Sequence, residues 1–422
     1  MRILIKNTKI VHHNTGLSDS EQDILIDNGI IREVNNNISQ KADKIIEAKG
    51  SYTSSGWTDV GTRTGEPGYE HREDIDSVTE AAAAGGYTTI ITTPNNIPPT
   101  QSKSDILYLK QKSEGKLTNI LPMAALSFDC AGKDIAELYD LHSSGAIAFT
   151  DGPRSIQDTG LLKRGLEYVQ AFGGLILHSP VNGEFNKGWQ MNEGIISTSL
   201  GMKGLPDIAE VMMVERDLRI LEYTGGRLHL WNISTQGSVE LVRRAKKQGL
   251  NISCSVPVMN LCFDDGALTG FDTNFKLSPP LRTAEHRNAL WEGLVDGTID
   301  FVTSEHTPLE NDVKDLEFPY AKFGTIQLET AYAILQTHYG KILTPQLTEK
   351  IFSQGANTIF GLNKPDIKPG EKADLTVFDP NAEWVYLQTK IKSKSNNNPL
   401  IGKKLKGKAI ATIKGNLIFA EN

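Results

Sequence analysis

The hydrophobic pattern of this chain changes character twice. Residues 1 to about 54 carry short apolar runs broken by turn residues, and Met1-Arg2-Ile3-Leu4-Ile5-Lys6-Asn7 has the alternation of a strand. In Gln22-Asp23-Ile24-Leu25-Ile26-Asp27-Asn28-Gly29-Ile30-Ile31 an Asn-Gly step between apolar runs predicts a hairpin. The C-terminal part repeats this style, with strands predicted at Asp374-Leu375-Thr376-Val377-Phe378 and on both sides of Gly415-Asn416 within Lys408 to Phe419. Between these ends, apolar strands alternate with amphipathic helices, the rhythm of parallel βα units. Predicted strands are Thr88 to Ile91, Ala146 to Phe149, Leu175 to His178, Leu228 to Trp231, Ile252 to Val256 and Ile299 to Val302. Several end in polar residues, as the catalytic strands of an α/β barrel do. Predicted helices are Ile208 to Tyr223, Ser238 to Gln248 and Ala284 to Asp296. In the second, Val239, Val242 and Ala245 share a face, while Arg243, Arg244, Lys246 and Lys247 form a solvated one.

A chain of 422 residues suits such a barrel with an attached module. Its formal charge of -7, with no block of Lys or Arg, gives no footprint for nucleic acid and points to a small-molecule or protein partner. Cys130, Cys254 and Cys262 are odd in number and lack ligand spacing, so neither a disulfide framework nor a cysteine-rich zinc site is expected. No apolar run reaches the roughly 18 residues of a membrane span, and the first residues lack a signal peptide's apolar stretch. The expectation is a soluble cytoplasmic protein without membrane contact.

The most informative stretch is Ser55-Gly56-Trp57-Thr58-Asp59-Val60-Gly61-Thr62-Arg63-Thr64-Gly65-Glu66-Pro67-Gly68. Further along come Ala81-Ala82-Ala83-Ala84-Gly85-Gly86-Tyr87-Thr88-Thr89 with Thr93-Pro94-Asn95-Asn96, then Thr224-Gly225-Gly226-Arg227-Leu228-His229. Ser278-Pro279-Pro280-Leu281-Arg282-Thr283 and Lys403-Lys404-Leu405-Lys406-Gly407-Lys408 complete the series. In this order the motifs resemble the dihydroorotases of the amidohydrolase superfamily, especially the type found in multifunctional complexes. The resemblance implies a TIM-type (β/α)8 barrel over residues 55–364, with a small β-sandwich built from both chain ends, 1–54 and 365–422.

Carried over residue by residue, the resemblance implies a depleted site. The family's first two zinc-ligating His, which alternation places on one strand face, become Gly61 and Arg63, and its substrate-binding Arg becomes Gly65. Neither Gly nor a permanent cation can ligate Zn²⁺. The bridging position is Asp151, followed by Gly152 where the family has a second Asp. A ligand His persists as His178, another becomes Asn232, and the Asp that ligates metal and acts as base becomes Glu305. Of the family's carboxylate grip only Asn95 remains, its other members being Gly65 and Leu309. The family's Thr-Pro-His-His-Leu is replaced by Val256-Pro257-Val258-Met259-Asn260.

The leading expectation is therefore a non-catalytic homologue in pyrimidine biosynthesis that binds no zinc, with Glu305 a vestigial base position. It would act as an oligomeric assembly partner of aspartate carbamoyltransferase. Arg63 is expected to pair with Glu305 or Asp151 in place of the metal's charge. One alternative is an active dihydroorotase, opening dihydroorotate to N-carbamoyl-L-aspartate, that uses Asp151, His178 and Glu305 around a single metal. The other is a small-anion site built on Arg63 and Asn95. Beside these, His178 reads first as a hydrogen-bonded core histidine, and Asp151 as a turn cap as readily as a vestigial ligand. Residues Thr307 to Phe323 read as an irregular loop over the site or a plain surface connection. His12, His13, His71, His142, His286 and His338 read as surface residues.

Overall fold

The structure is a computed structural model describing residues 1–12, 16–18 and 20–420. Seven parallel strands of the barrel are regular: Trp57–Thr62, Tyr87–Thr92, Asn119–Pro122, Ile176–His178, Leu228–Leu230, Ile252–Pro257 and Phe301–Thr303. The predicted strand from Ala146 to Phe149 is not regular. It survives as a bridging position, where Phe149 pairs with both Ala124 and Ile176. Phe149 N donates to Leu175 O at 3.0 Å, and Leu177 N donates to Phe149 O at 2.9 Å, so the ladder continues through it. The ring closes between last strand and first: Ser304 N donates to Asp59 Oδ1 at 2.7 Å, and Arg63 N to His306 O at 3.2 Å.

Both chain ends build a second sheet. Tyr52–Ser55 pairs in parallel with Arg2–His12, Lys9 facing Tyr52, and antiparallel with Asp374–Val385, Leu375 facing Ser55. The hairpin of Gln22–Asp27 and Ile30–Asn35 turns at Asn28 and Gly29, whose φ angles of 52° and 78° suit the two-residue turn. Lys404–Lys414 and Leu417–Ala420 form the corresponding hairpin at the C-terminal side.

The sheet is joined to the base of the barrel by Trp57, whose buried ring lies 4.8 Å from that of Phe352 and 5.4 Å from that of Phe378. Burying such a side chain contributes about 1.5–3 kcal/mol. Beside it, Asp374 receives Lys364 Nζ at 3.2 Å, and Lys414 Nζ lies 3.7 Å away. These two lysines, Lys364 first, hold the Asp374 carboxyl below its usual value against the opposing effect of burial.

The three predicted helices form as Ile208–Thr224, Gln236–Lys247 and Ala284–Val295. Thr235 caps the second by accepting from Ser238 N, and Val239, Val242 and Ala245 are buried. Its basic face is partly paired: Lys246 meets Asp300 at 2.7 Å and Arg243 meets Asp296 at 2.8 Å. Of the six histidines expected at the surface, His71, His142 and His338 are exposed, His12 and His286 are half-buried, and His13 lies outside the described residues. All three cysteines are buried free thiols. Among the described residues no helix is long and apolar enough to cross a membrane.

One feature of the C-terminal part bears on the site. Residues 391–400 leave the sheet and pack on the barrel, where Asn397 Nδ2 donates to Thr307 O at 3.0 Å and Gly324 O at 3.2 Å. A single side chain thus fastens both ends of the loop that follows the last barrel strand. Two buried lysines hold its middle. Lys276 Nζ donates to Phe318 O at 2.7 Å and Pro319 O at 3.0 Å, and Lys314 Nζ to Lys322 O at 3.0 Å and Gly324 O at 3.1 Å.

Candidate functional site

The first barrel strand ends with Gly61 at φ 92°. A Cβ placed there would stand 2.3 Å from the Trp231 ring, so the indole occupies the space a side chain at 61 would need. Two residues beyond Arg63, Gly65 lies at φ 69°, and a Cβ on it would meet Glu73 O at 2.3 Å. Neither position has room for a side chain as the chain is folded.

On the other side of the barrel, His178 and Asp151 are buried and fully engaged. His178 Nδ1 faces Asp217 Oδ2 at 2.5 Å, and Nε2 accepts from the Ile156 amide at 2.9 Å with Ser155 Oγ at 3.1 Å. This network places the ring proton on Nδ1 and commits the Nε2 lone pair to a backbone N–H. The Asp151 carboxylate accepts from Ser127 N at 2.9 Å and Ser127 Oγ at 2.5 Å. Burial raises its pKa, and the Ser127 hydrogen bonds oppose that rise. Asn95 Nδ2 donates to Asp151 O at 3.1 Å, while its Oδ1 is buried without a partner.

Asn232 and Glu305, both at positive φ (67° and 53°), follow two barrel strands and meet at the mouth. Asn232 Nδ2 donates to Glu305, and its Oδ1 accepts from Thr303 Oγ1 at 2.8 Å and Ser255 Oγ at 3.2 Å. Burial pushes the Glu305 carboxyl up to about 7, with Arg63 pulling the other way. The expected ion pair is absent: among the described residues the Arg63 side chain has no ion pair, and its buried Nε has no hydrogen-bond partner. Asn232 takes the place at Glu305 that Arg63 was expected to fill, and the guanidinium acts on the carboxylate only across space. Neither does Arg63 reach Asp151, whose oxygens Ser127 holds. Arg63 and Glu305 line one small cavity with Pro257, Met259, Asn260 and Phe323, and its volume is about 30 Å³.

A family model described as Dihydro-orotase-like matches residues 55–238. The dihydroorotase of Geobacter metallireducens is 35% identical over 98% of this chain and 98% of its own length. That of Thermoanaerobacter sp. is 38% identical over 98% of this chain and 96% of its own. The chain belongs to the dihydroorotase-like family. Its fold is shared more widely: the L-hydantoinase (dihydropyrimidinase) of Arthrobacter aurescens superposes with a TM-score of 0.87 at 22% identity, covering 99% of this chain and 96% of that one.

Whether this dihydroorotase-like chain can hold the zinc that its family resemblance implies is a question of donors. Among the described residues no group of three or more His, Cys, Asp or Glu is arranged to hold a metal ion. Glu305 keeps company with a guanidinium, His178 offers no free lone pair, and Trp231 fills the space beside Gly61. The residues present do not fit the metal.

Several residues that shape this site were not legible as functional. Asp217, which orients His178, had one available signal, an acidic residue on the buried face of Ile208–Thr224 between Val214 and Leu221. Ser127 and the Ile156 amide carried none, because their roles depend on loop paths. His229 sits inside the barrel, stacked 5.0 Å from Phe301, and burial lowers its pKa to about 3, so it stays neutral. Leu309, at the family's carboxylate-gripping His position, is buried, with its amide bound to Asn397 Oδ1 at 3.1 Å.

Proposed function

We propose that this member of the dihydroorotase-like family has given up zinc-dependent ring opening and acts by assembly, with aspartate carbamoyltransferase as the partner. The observation that carries the reading is the Ile156 amide, 2.9 Å from His178 Nε2, on the lone pair through which a ligand His would bind zinc. Asp217 holds the other ring nitrogen as an outer carboxylate would, but the metal's place on the imidazole is filled by backbone. Without the metal nothing lowers the pKa of a water from about 15.7 toward 7 or polarises the ring amide. Glu305 can accept a proton at neutral pH, yet it has no activated nucleophile to serve. Size argues the same way: a cavity of about 30 Å³ is far below the roughly 300–1,000 Å³ of small-molecule sites.

A second reading, an active dihydroorotase of pyrimidine biosynthesis, draws support from the name shared by relatives at 35% and 38% identity over nearly the whole chain. It requires the loop at Ser155 and Ile156 to leave His178, and the loop covering Glu305 to open. Interconversion of N-carbamoyl-L-aspartate and dihydroorotate by the purified chain with added zinc separates the two, with Glu305→Ala as control. Turnover abolished by that substitution establishes the enzyme. No turnover, together with co-sedimentation with aspartate carbamoyltransferase, supports assembly.

A further inference from the structure

A guanidinium buried without a partner is costly, because an enclosed cation needs a counter-charge or a full set of acceptors. Arg63 is half-buried, its buried Nε has no acceptor, and Glu305, engaged by Asn232, acts on it only across space. The other nearby guanidinium, Arg72, does have a counter-charge, donating through Nη2 to Glu310 Oε1 at 2.9 Å. What lies against Arg63 is the cavity of about 30 Å³, bounded by Asn260 and Thr325 on its polar side and Pro257 and Phe323 on its apolar side. A single water occupies roughly 10–15 Å³ on this measure, so the space takes two or three water-sized groups.

We propose that Arg63 and this cavity bind a small planar oxyanion of the class of formate, nitrate and hydrogencarbonate. The planar guanidinium offers two parallel N–H donors that match two oxygens of such an ion, a geometry a spherical halide cannot use. The cavity wall supplies apolar contact for the flat faces through Pro257 and Phe323, and the Asn260 amide, which uses one hydrogen on Pro280 O at 2.8 Å, retains a second for the ligand. The loop from Thr307 to Thr325 closes over the ion, and its lysine clamps keep it there. The anion thus sits near the place of the family's metal with the charges reversed: the protein supplies the cation and the ligand is negative. This goes beyond the assembly reading, and its failure leaves that reading standing, because the test involves neither zinc nor a partner protein.

The test is thermal unfolding of the full chain in sodium formate against sodium chloride at equal ionic strength. Wild type is expected to show a saturable, formate-specific rise in Tm of about 2 °C, lost in Arg63→Gln. Equal responses to the two salts, or a formate response retained by Arg63→Gln, overturn the proposal. Wild-type crystals grown in formate give a reading that needs no variant. Bent three-atom density within hydrogen-bond distance of Arg63 is expected, and water alone at that place overturns the proposal.

Discussion

Gly61→Ala is the smallest change that probes whether the first ligand position is truly filled. The new methyl would stand 2.3 Å from Trp231 Cζ2 and 2.7 Å from Cε2, well inside contact distance, on a backbone at φ 92°. Forcing one carbon into a packed core costs about 1–3 kcal/mol, and a left-handed backbone adds roughly 1–2 kcal/mol for a residue with a Cβ. The sum is a destabilisation of about 2–5 kcal/mol, large against a typical total of roughly 5–15 kcal/mol. The two contributions separate in a double-mutant cycle, because Trp231→Leu removes the ring and leaves the backbone strain. Urea denaturation of wild type, Gly61→Ala, Trp231→Leu and the double variant is expected to give a coupling of about 1–3 kcal/mol. A Gly61→Ala cost below about 0.5 kcal/mol, or one unchanged by Trp231→Leu, would mean that the indole does not occupy the ligand's space.

Asp217→Asn removes the charge that holds His178 and faces Arg216 at 2.7 Å; a loss of about 3 kcal/mol is expected by denaturation, and wild-type stability would contradict the buried pair. Glu305 has its folded pKa raised to about 7 from an ordinary 4.5, so the folded state binds more protons across that window and stability falls as pH rises through it. Relative to Glu305→Gln, wild type should lose up to about 3 kcal/mol between pH 4.5 and neutrality, and parallel pH profiles would show that the carboxyl is not desolvated. Lys314→Met takes the lysine donor from the carbonyls of Lys322 and Gly324, leaving Gly324 only its bond from Asn397, and amide exchange in residues 307–325 should quicken about tenfold; unchanged exchange would remove the lysine from the loop's anchoring.

The barrel's alternation and the terminal hairpins could be read from hydrophobic pattern because each depends on neighbours in sequence. Asn28-Gly29 specifies its own turn, and Val239, Val242 and Ala245 specify their own face. The meeting of Ser55 with Leu375 depends on pairing across the whole barrel, and only family resemblance made it visible. The fourth strand was expected to be regular. Its pairing contracts to Phe149, short of anything a pattern of apolar residues can express.

In the site, the missing donors at Gly61, Arg63 and Asn232 were legible position by position, but what replaced them was not. Charge complementarity favoured an Arg63 to Glu305 pair, whereas the fold satisfies Glu305 with Asn232, itself fixed by Thr303 and Ser255. A hydrogen bond from an amide two strands away in sequence terms cannot outbid that local arrangement in a pattern analysis, and the Ile156 amide on His178 is the same kind of contact. His178 is held between Asp217 and the Ile156 amide. Asp151 serves Ser127, accepting from both its amide and its hydroxyl.

Zinc stoichiometry after equilibrium dialysis, measured for wild type and His178→Ala together, tests the central claim most directly. The account predicts that wild type retains no zinc beyond what His178→Ala retains, because the Nε2 lone pair belongs to Ile156 N–H at 2.9 Å. A full equivalent of zinc that disappears with His178→Ala would contradict it and return the chain to the active dihydroorotases.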